Sequence, residues 1–205
     1  MSQSRRELWN ERYAAKELVW SAGPNARFAE EVAALQPGTA LDVACGEGRN
    51  AIWLAEQGWK VTGIDFSDVG IDKARAIADR RGVAPTFIAA DILTNDFGDE
   101  TYDLVALLYV HTAVEERVVW LPRVVRAVRP GGRLVYIGHD PRNILEGVGG
   151  PQDESVLPSV AELTTFLDGF DVLRGEVVER PVGTDPGHGA AEGIALDTVV
   201  HAQRR

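Results

Sequence analysis

The sequence is poor in cysteine, in long apolar runs and in basic charge. Its one cysteine, Cys45, excludes an intrachain disulfide and fits a reducing compartment. No apolar run approaches the roughly 18 residues of a membrane-spanning helix, and the N-terminus lacks the apolar core of a signal peptide. Acidic residues outnumber basic ones by 31 to 21, and the net charge of −10 argues against nucleic acid or an anionic membrane as the main partner. We therefore expect a cytoplasmic protein whose partner is a small molecule.

Apolar runs alternate with helical patterns through the middle of the chain. Five runs predict buried strands: Ala40–Ala44, Lys60–Ile64, Thr86–Ala89, Tyr102–Leu108 and Arg133–Gly138. Three periodic stretches between them predict helices: Asn50–Gln57, Asp68–Arg80 and Val114–Val128. Ser67 is the expected N-cap of the second helix, Gly82 its end, and Pro122 is expected to kink or split the third. This alternation with short connections predicts an α/β fold, a parallel sheet covered on both faces.

The two ends of the chain read differently. We expect N-terminal helices at Arg5–Lys16 and Asn25–Leu35, and a short helix at Ser159–Leu167. Asp171–Glu179 and Ile194–Gln203 look like strands joined by a glycine-rich loop. A loop in place of a crossover helix predicts an antiparallel pair at the end of the sheet.

A glycine turn follows the first predicted strand. The segment Gly46–Ala51 satisfies the pattern G-x-G-x-x-A, and Asp65 ends the next strand. Glycines let backbone approach a ligand closely, and a strand-end carboxylate can accept from both hydroxyls of a ribose. NAD and S-adenosylmethionine can each use this geometry. Asp42 inside the first strand favours S-adenosylmethionine, whose amino group needs an anionic neighbour, and Asp91 after the third strand can accept from an adenine amino group.

At these residues the chain resembles the class I S-adenosylmethionine-dependent methyltransferases. The matching motifs lie in the family's order: Leu41–Gly48, Val61–Ser67, Ala90–Ile92, Tyr102–Val105 and Arg129–Gly132. Asn50, where other members carry a third glycine, resembles the tellurite-resistance and thiopurine methyltransferase branch. The resemblance implies a Rossmann-like, doubly wound, seven-stranded sheet of order 3-2-1-4-5-7-6, with strand 7 antiparallel. It also implies one domain, with an N-terminal helical cover at 1–38, a cofactor-binding core at 39–140, and a substrate loop and C-terminal hairpin at 141–205.

The motifs and the resemblance together give a candidate site. Expected cofactor-binding residues are Trp20, Asn25, Asp42, Ala44, Gly46, Gly48, Asn50, Asp65, Phe66, Ser67, Asp91, Ile92 and Leu108. His111 and Tyr109 follow the fourth strand and are the candidate bases, because ligands bind at the carboxyl ends of strands in open α/β sheets. His139 and His188 are further candidates, and no metal is expected. Each residue also has a plain structural interpretation as a cap or a packed side chain.

The remaining expectations concern packing and the rival functions. Cys45, Trp53 and Trp120 are interpreted as core residues, and His201 as a surface residue. Asp140–Pro158 is expected to cover the substrate. The predicted activity is methyl transfer to a small-molecule thiol, metalloid oxyanion, hydroxyl or amine by a monomer or homodimer. The alternatives are an NAD(P)-dependent oxidoreductase and a non-catalytic S-adenosylmethionine-binding protein.

Overall fold

The computed structural model describes residues 4–19, 21–183 and 192–205. Its strands form one seven-stranded sheet of order β3-β2-β1-β4-β5-β7-β6, which confirms the predicted order. The chain divides into two compact units, one ending at Asn95 and the other starting at Asp96. No helix in the described ranges is long and apolar enough to cross a membrane.

The first unit alternates helices with three parallel strands. Its elements are α1 (Arg5–Ala14), α2 (Ala26–Val32), β1 (Thr39–Val43), α3 (Arg49–Glu56), β2 (Lys60–Asp65), α4 (Asp68–Arg81) and β3 (Thr86–Ala89). β2 pairs in parallel with both β1 and β3. Ser67 caps α4 by accepting from the Gly70 N–H at 3.0 Å, and Gly82 ends it in the left-handed conformation at φ 70°. Both helix ends are as predicted.

The second unit carries the antiparallel end of the sheet. Its elements are β4 (Tyr102–Leu108), α5 (Val114–Ala127), β5 (Val128–His139), α6 (Asn143–Glu146), a 3-10 turn (Glu154–Val156), α7 (Val160–Thr164), β6 (Phe170–Val182) and β7 (Gly193–Arg204). β4 and β5 are parallel, whereas β7 runs antiparallel to both β5 and β6. The predicted hairpin is confirmed. α5 continues through Pro122 as one helix, so the chain is not split there.

The expectation for His201 was wrong. It lies on β7, an interior strand between β5 and β6, and is only 8% exposed because neighbours cover it from both sides. The interpretation of Cys45 and Trp120 as core residues is confirmed, because both are buried. Trp53 is half-buried against Phe28. β5 begins at Val128, earlier than the predicted Arg133, since Val128 already pairs with Tyr102 across an irregularity in β4.

Candidate active site

The turn after β1 bends through three left-handed residues before α3 starts. Ala44, Gly46 and Gly48 have φ values of 56°, 55° and 77°. Gly48 occupies the N-cap position without a side chain to satisfy the first amides of α3. Helix N-termini with unsatisfied N–H groups carry partial positive charge and suit polar or anionic ligand atoms. The amides of Gly46, Gly48 and Ala51 are already bonded within the protein, so what the turn offers is the close backbone surface that the glycine motif predicts.

Gly48 is required by packing as well as by backbone conformation. A Cβ built on it would lie 2.8 Å from Cζ of Phe87 and 2.9 Å from Cβ of Ala74. Both neighbours are held in the interior, so neither can move aside cheaply. The glycine thus allows β3 and α4 to approach the turn, a reason that the motif alone does not reveal.

Asp65, at the end of β2, ties the turn to the next strand. Its Oδ2 accepts from the N–H of Gly46 at 2.9 Å, and its Oδ1 accepts from the N–H of Ser67 at 2.8 Å. Burial raises the pKa of Asp65, while these two hydrogen bonds partly oppose the rise. Each carboxylate oxygen has a second lone pair, so both remain able to accept from a ligand hydroxyl.

Asp42 is a second buried carboxylate, 1% exposed, in the interior of β1. Its Oδ2 accepts from the N–H of Ala51 at 3.1 Å. The pKa of Asp42 is raised to about 7, chiefly by burial and also by the charge of Asp65, while the Ala51 hydrogen bond and Arg49 partly oppose the rise. Two desolvated carboxylates at one turn favour a cationic ligand, because a positive charge stabilises their ionised forms.

Asn50 links the turn to the N-terminal region. Its Oδ1 accepts from the N–H of Asn25 at 2.8 Å, and Oδ1 of Asn25 in turn accepts from the N–H of Phe28 to cap α2. The residue that suggested a family branch thereby positions α2 on α3. Asn25 itself is buried and used as a cap, and Trp20 lies outside the described residues.

The remaining predicted cofactor residues lie at or just after the carboxyl ends of β2, β3 and β4. Asp91 is half-buried just after β3, and its Oδ1 accepts from the N–H of Leu93 at 2.9 Å. Ile92 and Ser67 are buried, whereas Phe66 is half-buried. In the second unit, Leu108 ends β4 and is buried.

Glu47 and Lys73 are functional candidates that the sequence interpretation missed. Glu47, within the glycine turn, accepts from the N–H of Val19 at 2.9 Å and lies 3.2 Å from Nζ of Lys73. The same ammonium donates to the backbone oxygens of Tyr13 and Lys16. Residues 13–19 are thus fixed to the turn. A cavity of about 350 Å³ borders this segment and α3, and its lining includes Glu47, Arg49 and Trp53 but none of the three predicted carboxylates.

In the second unit, Asp197 of β7 is the centre of a buried polar cluster. Its Oδ2 accepts from Oη of Tyr109 at 2.7 Å and from Nε of Arg180 at 2.6 Å. Nδ1 of His139 lies 3.3 Å from Oδ1. Burial alone would raise the pKa of Asp197, but contacts with His139, Arg180 and Tyr109 together hold it below its ordinary value. Asp197 is therefore an ionised anchor for three other side chains.

Tyr109 and His111, the two predicted bases, both lie at this cluster. Tyr109 has a left-handed backbone with φ 56°, a conformation that costs a non-glycine residue about 1–3 kcal/mol. The His111 ring stacks on that of His139, with 5.5 Å between centroids and 16° between planes. Nε2 of His111 is buried and has no hydrogen-bond partner among the described residues. The pKa of His111 is lowered to about 3, chiefly by burial and also by His139 and Arg117, against the opposing charge of Asp197.

The sequence interpretation placed His139 correctly near this strand end but omitted Asp197 and Arg180. One signal was present: Asp197 lies between the apolar residues 194–196 and 199–200 of a predicted strand, where a buried carboxylate needs partners. Its partner Arg180 lies on the facing strand β6, within a segment expected to be loop. His188 lies outside the described residues.

Comparison with known proteins matches residues 40–132 to a family described as a methyltransferase domain. These residues contain the glycine turn, Asp42, Asp65, Asp91, Tyr109 and His111. The matched segment is 93 of the 205 residues, a little under half of the chain.

The matches to methyltransferase relatives span only part of each relative's length. The 2-heptyl-1-hydroxyquinolin-4(1H)-one methyltransferase of Mycobacteroides abscessus is 30% identical over 131 residues, which are 62% of this chain and 57% of the relative. The chain spans about half the length of the curated relatives it matches.

Solved structures share the fold of this chain. A structure reported for the conversion of a disulfide bond into a thioacetal group during echinomycin biosynthesis gives a TM-score of 0.73 at 23% identity, covering 98% of this chain and 92% of its own. TehB from Haemophilus influenzae gives a TM-score of 0.70 at 17% identity, covering 89% of this chain and 63% of its own. At such identities the likeness concerns the fold.

Proposed function

We propose that this protein transfers a methyl group from S-adenosylmethionine to a small-molecule acceptor. The observation that carries the proposal is the pair of buried carboxylates, Asp42 and Asp65, at a glycine turn. S-adenosylmethionine has a sulfonium and an ammonium group, and thus brings the positive charge that these carboxylates favour. When bound, it supplies an electrophilic methyl group on positively charged sulfur.

The cofactor roles follow from the chemistry of each donor and acceptor. We assign Asp65 to the ribose hydroxyls, Asp42 to the amino group of the methionine part, and Asp91 to the adenine amino group. Ala44, Gly46 and Gly48 would supply the close backbone surface, with Phe66 and Ile92 flanking the adenine. Ser67, Asn25 and Asn50 support this surface through their caps and hydrogen bonds.

A dinucleotide is the less suitable ligand for this turn. A pyrophosphate brings negative charge toward the glycine turn, whereas Asp42 is already desolvated beside it. The similarity in fold to TehB supports the tellurite-resistance and thiopurine methyltransferase branch that Asn50 suggested. The Mycobacteroides relative is named for a hydroxyquinolinone, which supports an organic acceptor.

Calorimetry with S-adenosylhomocysteine tests the cofactor assignment. Asp65→Asn should weaken binding by about 10- to 100-fold, because a hydrogen bond to a charged group contributes about 1.5–3 kcal/mol. The control Asp68→Asn changes a neighbouring, 58% exposed carboxylate and should leave affinity unchanged. NADH binding without any response to S-adenosylhomocysteine would contradict the proposal. Release of S-adenosylhomocysteine across thiol, hydroxyl, amine and metalloid acceptors then tests turnover, and binding without any turnover would indicate a non-catalytic protein.

A further inference from the structure

We propose that Asp197 positions His111 as a neutral base for acceptors that arrive as protonated hydroxyl groups, and that the cluster does not serve metalloid oxyanions. The inference rests on the proposed methyl transfer and specifies its acceptor. It concerns five side chains of the second unit: Tyr109, His111, His139, Arg180 and Asp197.

The first step in the argument is the charge of the cluster. Arg180 lies 2.6 Å from Asp197, so the two opposite charges compensate each other. Arg117, the other cation that acts on His111, is paired with Glu162 at 2.7 Å. The imidazole of His111 is itself held neutral by burial. A metalloid oxyanion needs positive charge to replace its hydration, and Arg180 and Arg117 each already have a carboxylate partner.

The second step concerns where the protons are. The hydroxyl of Tyr109 donates its proton to a hydrogen bond with Asp197, so Tyr109 does not exchange a proton with the acceptor. Two ring nitrogens of the cluster are buried without a hydrogen-bond partner among the described residues, Nδ1 of His139 and Nε2 of His111. Nδ1 of His139 lies 3.3 Å from the Asp197 carboxylate, so Nε2 of His111 is the one that no carboxylate faces at such a distance. A buried polar atom without a partner is costly, and an acceptor hydroxyl that donates to it would satisfy it.

The third step concerns positioning. Asp197 fixes Tyr109 through its hydroxyl, and Arg180 places its guanidinium 5.6 Å from the centre of the same ring. Asp197 also lies against His139, on which His111 stacks. Strained backbone persists only where its surroundings fix it, and such strain is concentrated at functional sites. Tyr109, which has a left-handed backbone and lies two residues before His111, is therefore fixed by Arg180 of β6 and Asp197 of β7.

The chemical step balances as follows. The acceptor oxygen forms a bond to the methyl carbon while the bond from that carbon to sulfur breaks. The electron pair of the broken bond stays on sulfur, which becomes a neutral thioether. The proton of the acceptor passes to Nε2 of His111. An oxygen that gains a methyl group while still protonated becomes a very strong acid, so even a weakly basic imidazole can take its proton. An amine acceptor, in contrast, makes a product that keeps its proton against such a base.

Nitrogen-15 spectra of the histidine side chains test this without turnover. The chain has four histidines, which single substitutions can assign. Full-length protein is titrated with 1-naphthol and, separately, with its methyl ether, each with and without S-adenosylhomocysteine. We expect naphthol to shift the Nε2 signal of His111 and the ether to leave it unchanged. Equal shifts from both fragments, no shift from naphthol, or a comparable shift from tellurite would each overturn the proposal.

Variants separate positioning from general structure. In Asp197→Asn the naphthol response of His111 should be lost, although S-adenosylhomocysteine affinity stays within twofold of wild type. The matched control His201→Gln also changes a buried β7 residue and should keep the response. With a hydroxyl acceptor, His111→Gln should lower kcat about 100-fold or more with little change in KM, whereas an aromatic thiol ionised at neutral pH should be methylated at nearly the wild-type rate. Equal losses for both acceptors would refute the role of His111 as a base.

The two proposals fail in different ways. Absence of S-adenosylhomocysteine binding would end the methyl-transfer proposal, while the naphthol titration of the second unit would still report on His111. Normal cofactor binding combined with a silent His111 would retain methyl transfer and overturn the acceptor inference alone.

Discussion

The glycine turn of the first unit and the polar cluster of the second are built by different means. At the turn, Asp42 and Asp65 accept from backbone N–H groups of residues within the segment 42–67. At the cluster, Asp197 binds side chains that reach it from three other strand regions, up to 88 residues away in sequence. A site made from local backbone contacts leaves a motif in the sequence. A site assembled by strand register leaves only isolated polar residues.

The two regions also differ in charge. Burial raises the pKa of both carboxylates at the turn, so the turn favours a cation. Contacts lower the pKa of Asp197 at the cluster despite its burial, so its charge is already compensated by protein groups. The glycine turn thus favours a ligand that brings positive charge, whereas the polar cluster offers the neutral imidazole of His111.

The largest expected effect comes from filling the space at the turn. Gly48→Ala places a methyl group 2.8 Å from Phe87 and 2.9 Å from Ala74, on a backbone with φ 77°. We expect a loss of about 3 kcal/mol in the free energy of unfolding, measured in urea, because overpacking and left-handed strain add.

Gly82→Ala is the matched control for Gly48→Ala. Gly82 has φ 70° but nothing within 4 Å of its added Cβ. It should therefore lose only the conformational part, about 1 kcal/mol. Equal losses at both glycines would show that packing against Phe87 is unimportant.

This contrast explains how much could be predicted from the sequence. The sheet order, the Ser67 and Gly82 helix ends and the position of Asp65 were accessible, because alternation, caps and a glycine turn are local signals. The clash that requires Gly48 was not accessible, since Phe87 lies far along the chain. Asp197 and Arg180 were missed for the same reason: only the pairing of β6 with β7 brings them together. His201 was misjudged because burial on a strand depends on its neighbours in the sheet.

A second glycine tests how the cluster is covered. Gly150, with φ 74°, lies where an added Cβ would be 2.6 Å from Cδ2 of His139. Asn143 holds this segment by donating to the backbone oxygen of Gly149 at 2.9 Å. Gly150→Ala should cost about 2 kcal/mol and displace the His139 ring. The His139 side-chain signals and urea unfolding measure the two effects.

Gly131→Ala is the control for Gly150→Ala. Gly131 has φ 78° and open space around its added Cβ. It should leave His139 unchanged and cost less. If Gly150→Ala leaves the His139 signals at their wild-type positions, residues 147–150 are not a rigid cover for the cluster.

A double-mutant cycle measures how strongly Asp197 holds Tyr109. Tyr109→Phe removes the hydroxyl that donates to Asp197 at 2.7 Å. With Asp197→Asn as the second change, we expect a coupling free energy of about 1.5 kcal/mol, since a hydrogen bond to a charged group contributes about 1.5–3 kcal/mol. A cycle between Tyr102→Phe and Asp197→Asn is the control and should show additive losses. Additivity in the Tyr109 cycle would mean that Asp197 is no anchor for this residue.

The smallest expected effect is a pH dependence that separates the turn from the cluster. The folded protein holds the pKa of Asp42 at about 7, above the 3.8 of an exposed aspartate. The unfolded chain therefore releases this proton at lower pH, so the contribution of Asp42 to stability decreases as pH rises from 4 to 7. The ammonium group of S-adenosylhomocysteine, which we assign to Asp42, favours the ionised carboxylate, and the ionised fraction increases roughly eightfold between pH 6 and 7.5 for a pKa near 7. Affinity for S-adenosylhomocysteine, measured by calorimetry, should rise by up to that factor and release protons. Asp42→Asn should bind more weakly and lose most of this dependence, whereas Asp197→Asn should retain it, because the lowered pKa of Asp197 keeps that group ionised throughout the range.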